Sequence, residues 1–262
     1  MLNISNKKRI VIKLGTSTLA HKTGKLNIRR MSNLVRVLSD LQNSGREIVI
    51  VSSGAVGLGV GKLGLREKPK DTPTKQAAAA VGQCELMYLY DDLFDNYGIS
   101  VAQILLTKTD LDESRQQNVE NTFAKLISMG VIPIVNENDT VAIDELELEI
   151  GENDSLSAMV AKLAHADLLV ILSDIDGLYD SDPHKNPEAH LIPVVTEIDS
   201  HIEEMAGGAG SSLGTGGMAT KINAAKIANE AGIDMIIMNG NNPEKLYGLF
   251  ENDETGTIFI SH

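Results

Sequence analysis

The chain has one cysteine, no tryptophan and an aromatic content of only 3% over 262 residues. A lone thiol, Cys84, can form no internal disulfide, which points to a reducing compartment. So few rings leave little surface on which nucleobases could stack. Positive charge is also in short supply. Lys+Arg 23 against Asp+Glu 36 gives a net charge of −13, whereas a phosphate backbone is captured by clustered Lys and Arg. Long apolar runs are missing as well. No segment approaches the roughly 20 apolar residues of a membrane helix. The N-terminal stretch MLNISNKKRIVIKLG has a short apolar run broken by Lys13, and it lacks the apolar core of about 7–15 residues that marks a secretory signal. These absences predict a soluble, cytoplasmic protein that engages neither nucleic acid nor membrane.

What remains is a globular composition, 42% hydrophobic and 23% charged. A chain of this length can bury roughly 70–75% of its unfolded surface, so it needs no staples. At about 150 residues per domain the length allows one or two domains, and α/β chains of this size are often one. Residues 1–262 are expected to form a single domain. Residues 9–14, 47–51, 100–106, 131–135, 167–172 and 234–238 are short apolar runs rich in Val and Ile, continuous rather than alternating. That pattern predicts strands covered on both faces. Helical patterns lie between them, at 27–43, 74–96, 113–129, 153–164 and 217–230. The first carries Ile28, Met31, Leu34, Val35 and Leu38 on one stripe. Strands alternating with helices imply an α/β fold, a three-layer αβα sandwich around a mainly parallel sheet.

Residues 141–150 break the pattern. Leu146, Leu148 and Ile150 alternate with Glu145, Glu147 and Glu149, which predicts a half-exposed strand or β-hairpin projecting from the main sheet. Residues 179–193, rich in Pro and polar groups, are expected to be a long loop.

Chemistry-bearing residues gather at the predicted strand ends. Lys13-Leu14-Gly15-Thr16-Ser17 closes the first strand. A lysine inside an apolar strand must reach water or an anion, and the following loop offers donors suited to phosphate. Val51-Ser52-Ser53-Gly54-Ala55 leads from the second strand into a helical region, a natural anion site. Beyond it, Gly59, Gly61 and Gly64 make a formal GxGxxG. The match does not directly follow its strand, so a flexible or closely packed glycine segment is the expectation there. Val135-Asn136-Glu137-Asn138-Asp139 places four consecutive polar groups after a strand. These groups can bind an amino acid's amino and carboxyl groups, or form an Asx turn. In Gly151-Glu152-Asn153-Asp154-Ser155, Asn153 or Asp154 can cap the next helix, while a carboxylate near Lys13 can orient lysines or hold a metal. Ser173 and Asp174 stand at another strand end, where a nucleotide's base and ribose, or only a turn, can be accommodated. Gly214-Thr215-Gly216-Gly217-Met218-Ala219-Thr220-Lys221 is not a Walker A loop. Its glycine amides, helix N-terminus and lysine still suit phosphate.

Taken together, VIKLGTSTL, VSSGAVGLG, VNENDTVA, GENDSLSA, LSDIDGLYDSDP and GTGGMATK, in that order, resemble the amino-acid kinase superfamily, and within it the glutamate-phosphorylating branch. The resemblance covers nearly the whole chain. It implies the amino-acid kinase fold, with Lys13 and Lys221 on the phosphates and Asp154 orienting the two lysines. It implies glutamate binding by Ser53, Asp139 and Asn153, with Gly54 and Asn136 nearby. ATP would be bound by Lys13, Ser173, Asp174, Thr215, Gly216, Gly217, Met218, Ala219, Thr220 and Lys221. The family commonly has Asp where Glu152 stands, and many bacterial members carry a C-terminal PUA domain for which the chain, ending at His262, has no counterpart. Also implied are Mg²⁺ riding on ATP with no dedicated protein metal site, proline as feedback inhibitor, and a homodimer or homotetramer. The expected reaction is ATP-dependent phosphorylation of the γ-carboxylate of L-glutamate, the first step toward proline. The alternatives are a related kinase acting on acetylglutamate, aspartate or carbamate, and a non-catalytic amino-acid sensor.

Overall fold

Alternate residues of each strand leave opposite faces of a sheet, and here both faces are apolar. In β1 (Arg9–Leu14), Ile10, Ile12 and Leu14 join one core and Val11 the other. The same division runs through β2 (Glu47–Val51), β4 (Ile132–Glu137), β5 (Leu168–Ser173) and β7 (Asp234–Asn239). With β3 (Val101–Leu106), β6 (Val194–Val195) and β8 (Thr257–Phe259), they form an eight-stranded sheet in the order β3-β4-β2-β1-β5-β7-β8-β6. The computed structural model describes residues 4–19, 21, 25–141, 153–183, 185–208, 217–251 and 256–262.

The six strands from β3 to β7 pair in parallel, while β8 runs antiparallel to β7 and carries β6 beside it. Strand β1 is the hinge of the topology. The chain builds β2, β4 and β3 to one side of it and β5 and β7 to the other, so the crevice at its carboxyl end is a topological switch point.

In chain order the helices are α1 (Thr16–Leu19), α2 (Ile28–Asn43), α3 (Ala55–Lys62), α4 (Thr72–Asp95), α5 (Glu113–Ser128), α6 (Asn153–Leu163), α7 (Ser200–Gly208), α8 (Met218–Glu230) and α9 (Lys245–Glu251). Local chemistry starts the longer ones. Asn27 caps α2 by accepting from the Arg30 N–H at 3.1 Å. Asp71 caps α4 through the Thr74 N–H at 3.0 Å, with Pro73 in the first turn. One face of the sheet is covered by Met31, Leu34 and Leu38 of α2, Leu86, Tyr90 and Phe94 of α4, and Leu246 of α9. Phe123 of α5, Leu156 of α6 and Ile222 of α8 cover the other. The expected three-layer α/β fold is the one observed.

Three short helices, α1, α7 and α9, and the strands β6 and β8 at one end of the sheet are not expected from the sequence. The two strands are two and three residues long and are held by pairing with distant chain, a signal that no local pattern carries. The hairpin expected over residues 141–150 falls, apart from Val141, outside the described residues. The 179–193 loop is tied by one antiparallel bridge between Tyr179 and Leu191.

A candidate phosphoryl-transfer site at the carboxyl edge of the sheet

Where the strands end, polar residues continue the alternation of the apolar ones. Lys13 follows Val11 and Ser173 follows Ile171, so both point toward the α6/α8 layer. Ser52 follows Ile50 and Asn136 follows Ile134, so both point toward α4. The site therefore has two halves, one on each face of the sheet.

The first half is ionic. Asp154, in the first turn of α6, has no solvent exposure. Lys13 Nζ lies 2.6 Å from its Oδ1 and Lys221 Nζ 3.1 Å from its Oδ2. The Thr220 hydroxyl sits 3.0 Å from Oδ2 and 2.8 Å from the Gly217 carbonyl in the turn that opens α8. Both lysines are more than nine-tenths buried. Burial, the largest influence on Asp154, pushes its carboxyl up. The two ammonium groups outweigh it and hold the carboxyl below its ordinary value. Asp154 thus faces two cations at the carboxyl edge, where α8 also begins. Such a cluster suits an incoming polyanion.

The second half is built of amides and hydroxyls. Asn153 Nδ2 is 2.5 Å from the Ser52 carbonyl oxygen, 2.7 Å from Ser53 Oγ and 3.3 Å from Asn136 Oδ1. Asn136, nearly fully buried, donates from Nδ2 to Gln83 Oε1 of α4 at 2.9 Å. Ser52 Oγ is 2.9 Å from Tyr90 Oη, and burial pushes the Tyr90 phenol upward. Gly54 opens α3 with φ +96, a left-handed conformation that glycine adopts without strain. Asn153 and Asp154 are neighbours in sequence, so one turn of α6 joins the two halves.

The structure thus brings Lys13, Lys221, Asp154 and Thr220 together, and groups Ser53, Asn136 and Asn153 beside them. Asp139 lies two residues beyond β4, half-buried, and Gly54 follows Ser53. Ser173 and Asp174 stand at the end of β5, with Ser173 Oγ donating to Asp174 Oδ1 at 3.2 Å. Gly217 and Met218 lead into α8, and Ala219 is exposed. Thr215, Gly216 and Glu152 lie outside the described residues. Among the described residues no group of three or more His, Cys, Asp or Glu is placed to hold a metal.

Of the glycines at 59, 61 and 64, only Gly59 packs closely, while Gly61 and Gly64 have nothing within 4 Å of a Cβ. A Cβ on Gly59 would stand 1.8 Å from the Ala78 carbonyl oxygen, and one on Gly82 would stand 1.7 Å from that of Ala55. These approaches press α4 against α3. The contacts from Gln83 and Tyr90 were not anticipated, because 74–96 reads as a core helix. The available signal was Gln83, an amide at a buried helix position beside Gly82.

Residues 8–239 match the model of the amino acid kinase family. The chain is 53% identical over 261 residues to a glutamate 5-kinase of Clostridium perfringens, covering 98% of this chain and 97% of that one. It is 54% identical over 260 residues to a glutamate 5-kinase of Moorella thermoacetica, covering 99% of this chain and 68% of the relative. Among solved structures, a carbamate kinase from Giardia lamblia bound to AMP-PNP superposes with a TM-score of 0.69 at 15% identity, covering 98% of this chain and all of the other. The UMP kinase of Ureaplasma parvum superposes with a TM-score of 0.66 at 16% identity over the same shares. At such identities the structural likeness speaks to the fold. No described helix is long and apolar enough to cross a membrane.

Proposed function

The chain belongs to the amino acid kinase family, and from that premise we propose that it transfers the γ-phosphoryl group of ATP to the side-chain carboxylate of L-glutamate. The products are ADP and L-glutamyl 5-phosphate, and the reaction opens the route to proline. One observation carries the mechanism: two buried lysines from opposite ends of the chain share the single carboxylate of Asp154.

The acceptor needs no general base, because a glutamate side chain with a pKa near ~4.3 is already ionised at neutral pH. An oxygen of that carboxylate attacks the γ-phosphorus, and the bond to the β,γ-bridging oxygen breaks. The difficulty is bringing two anions together while charge moves onto the leaving ADP. Positioning and charge neutralisation are therefore the chain's task. In this reading Lys13 and Lys221 hold the phosphate oxygens. Asp154 keeps the two ammonium groups at a fixed spacing, so little reorganisation remains at the moment of transfer. Ser173, Asp174 and residues 215–221 bind the rest of ATP.

Glutamate is read by the amide half. Asn153 Nδ2 is occupied within the protein, which turns its Oδ1 toward use as an acceptor for an ammonium group. Asp139 supplies a carboxylate for the same group, and Ser53 Oγ, the Gly54 backbone and Asn136 complete the pocket. Rejection of aspartate, one methylene shorter, must come from these polar contacts, since apolar fit to a methylene is worth only about 1–3 kcal/mol.

The donor set does not suit a protein-held divalent cation. The central carboxylate is committed to two lysines and no acidic cluster accompanies it among the described residues. Mg²⁺ is accordingly expected to arrive on ATP, and no step is routed through it. Proline as an inhibitor competing with glutamate, and a homodimeric or homotetrameric assembly, complete the reading. The deciding assay compares ADP release with glutamate, aspartate, acetylglutamate and carbamate, with hydroxylamine added to trap an acyl phosphate. Release that depends on glutamate and yields a hydroxamate supports the assignment. Preference for another acceptor, or binding without turnover, overturns it.

A further inference from the structure

Helix α4 reaches the carboxyl edge through one amide that neither the phosphates nor the substrate is expected to touch. Gly82 lets α4 approach the first turn of α3 until a Cβ would collide with the Ala55 carbonyl oxygen. That approach sets the next residue, Gln83, against Asn136. The direction of each amide follows from its neighbours. Asn136 Oδ1 accepts from the Glu137 backbone N–H at 3.0 Å, a group that can only donate. Asn136 Nδ2 must then face the other way, where it donates to Gln83 Oε1 at 2.9 Å. Among the described residues Gln83 Nε2 has no hydrogen-bond acceptor, although it is shut off from solvent.

A buried donor without a partner is a standing cost that an apolar side chain of the same size avoids. At this place the amide contributes its oxygen, and among the described residues that oxygen's one partner is Asn136. Asn136 in turn meets Asn153 at 3.3 Å, the residue that also holds Ser53 Oγ. We propose that Gln83 is a positioning residue for the amino-acid half of the site: its Oε1 fixes the Asn136 amide, and through Asn136 and Asn153 it sets the pocket that distinguishes glutamate. The proposal rests on the assignment of glutamate as acceptor.

Gln83→Met tests it, because methionine fills a similar volume and removes both the acceptor and the stranded donor. One orphan N–H disappears and another, on Asn136, takes its place, so the melting temperature should stay close to that of the unsubstituted chain. The KM for glutamate should rise about tenfold, the size of one neutral hydrogen bond, with the KM for ATP unchanged. In an Asn136→Ala background the same substitution should add nothing further, since the coupling runs through that side chain. Gln83→Glu keeps an oxygen for Asn136 and should restore a near-normal glutamate KM. Gln83→Leu replaces the methionine variant if that one does not fold.

An unchanged glutamate KM in Gln83→Met overturns the proposal. So does an undiminished effect in the Asn136→Ala background, or a joint fall of stability, kcat and both affinities. Glutamate titration calorimetry on the same proteins separates this failure from that of the functional assignment. If the unsubstituted chain binds glutamate but releases no ADP, the reaction is wrong while the role of Gln83 is still read from the dissociation constants. If it neither binds nor turns over glutamate, both readings fall.

Discussion

Lys13 and Lys221 bind opposite oxygens of one carboxylate, at 2.6 and 3.1 Å from Asp154. The two lysines come from β1 and α8, at opposite ends of the chain, and neither is appreciably exposed. Each would be costly to bury alone. Asp154 faces both of them, so the three side chains form one buried charged unit.

Lys13→Ala and Lys221→Ala should each lower kcat by about 10²–10³-fold, the usual loss when one preorganised electrostatic partner is removed. The KM for glutamate should change by only a few-fold, because the amide half remains. Steady-state ADP release decides this, and near-normal turnover in either variant sinks the assignment.

Asp154→Asn removes the carboxylate that both buried ammonium groups share. Removing one partner of a buried ion pair typically costs about 3–5 kcal/mol. Denaturant unfolding should show a loss of that order, and added ATP should recover part of it by supplying anionic oxygens to the lysines. An equal loss with and without ATP would count against phosphate binding at this cluster.

The pH dependence of that loss has a definite sign. The folded-state pKa of Asp154 lies below its ordinary value, so its contribution is present in full above the unfolded value of about 3.9 and disappears as pH falls through the folded one. The stability gap between the unsubstituted chain and Asp154→Asn should be widest near neutrality and should close in acid. A gap that is constant from neutral pH down to about pH 3 would mean that the charge is not its source.

Asn153→Ala removes the side chain that ties Ser52, Ser53 and Asn136 together. Loss of two or three such bonds, at about 1 kcal/mol each, should raise the KM for glutamate by roughly 10–100-fold and leave that for ATP nearly unchanged. Asp139→Ala should act in the same direction. Isothermal titration with each ligand gives the same split without turnover.

Gly82→Ala would place a methyl group 1.7 Å from a backbone oxygen in α3. Overpacking of that kind costs about 1–3 kcal/mol, and the backbone cannot swing aside as a side chain can. Thermal unfolding should show the loss, accompanied by a higher glutamate KM, since α4 also carries Gln83 and Tyr90. Gly45→Ala, at a turn with nothing within 4 Å but φ +99, should affect stability alone.

Much of this architecture is legible in one dimension, for reasons visible in particular residues. The continuous apolar runs of β1, β2 and β5 announce strands buried on both faces, because a strand with a wet face would alternate. Lys13 was conspicuous because a charged residue in such a run needs a destination. The six motifs together supplied the family resemblance. The limits are equally specific. Asp154, read locally, is as good a helix cap as a lysine anchor, and no spacing in the sequence separates the two. Strands β6 and β8 depend on partners far along the chain. Gln83 stands out as an amide beside Gly82 in an alanine-rich core helix, but nothing local names its partner, Asn136, 53 residues away.

Alternation, caps and strand-end loops were enough to determine the layers, the parallel sheet and the edge on which its chemistry gathers, because side-chain period and local hydrogen bonding are properties of neighbouring residues. The placement of those groups in three dimensions belongs to the tertiary structure alone. Only the assembled sheet turns Lys13 toward α6 and Asn136 toward α4, and only the crossing of α6 and α8 brings Lys221 to the carboxylate that Lys13 already holds. These are contacts between residues tens to hundreds of positions apart, and the packing of the whole chain is what sets their distances.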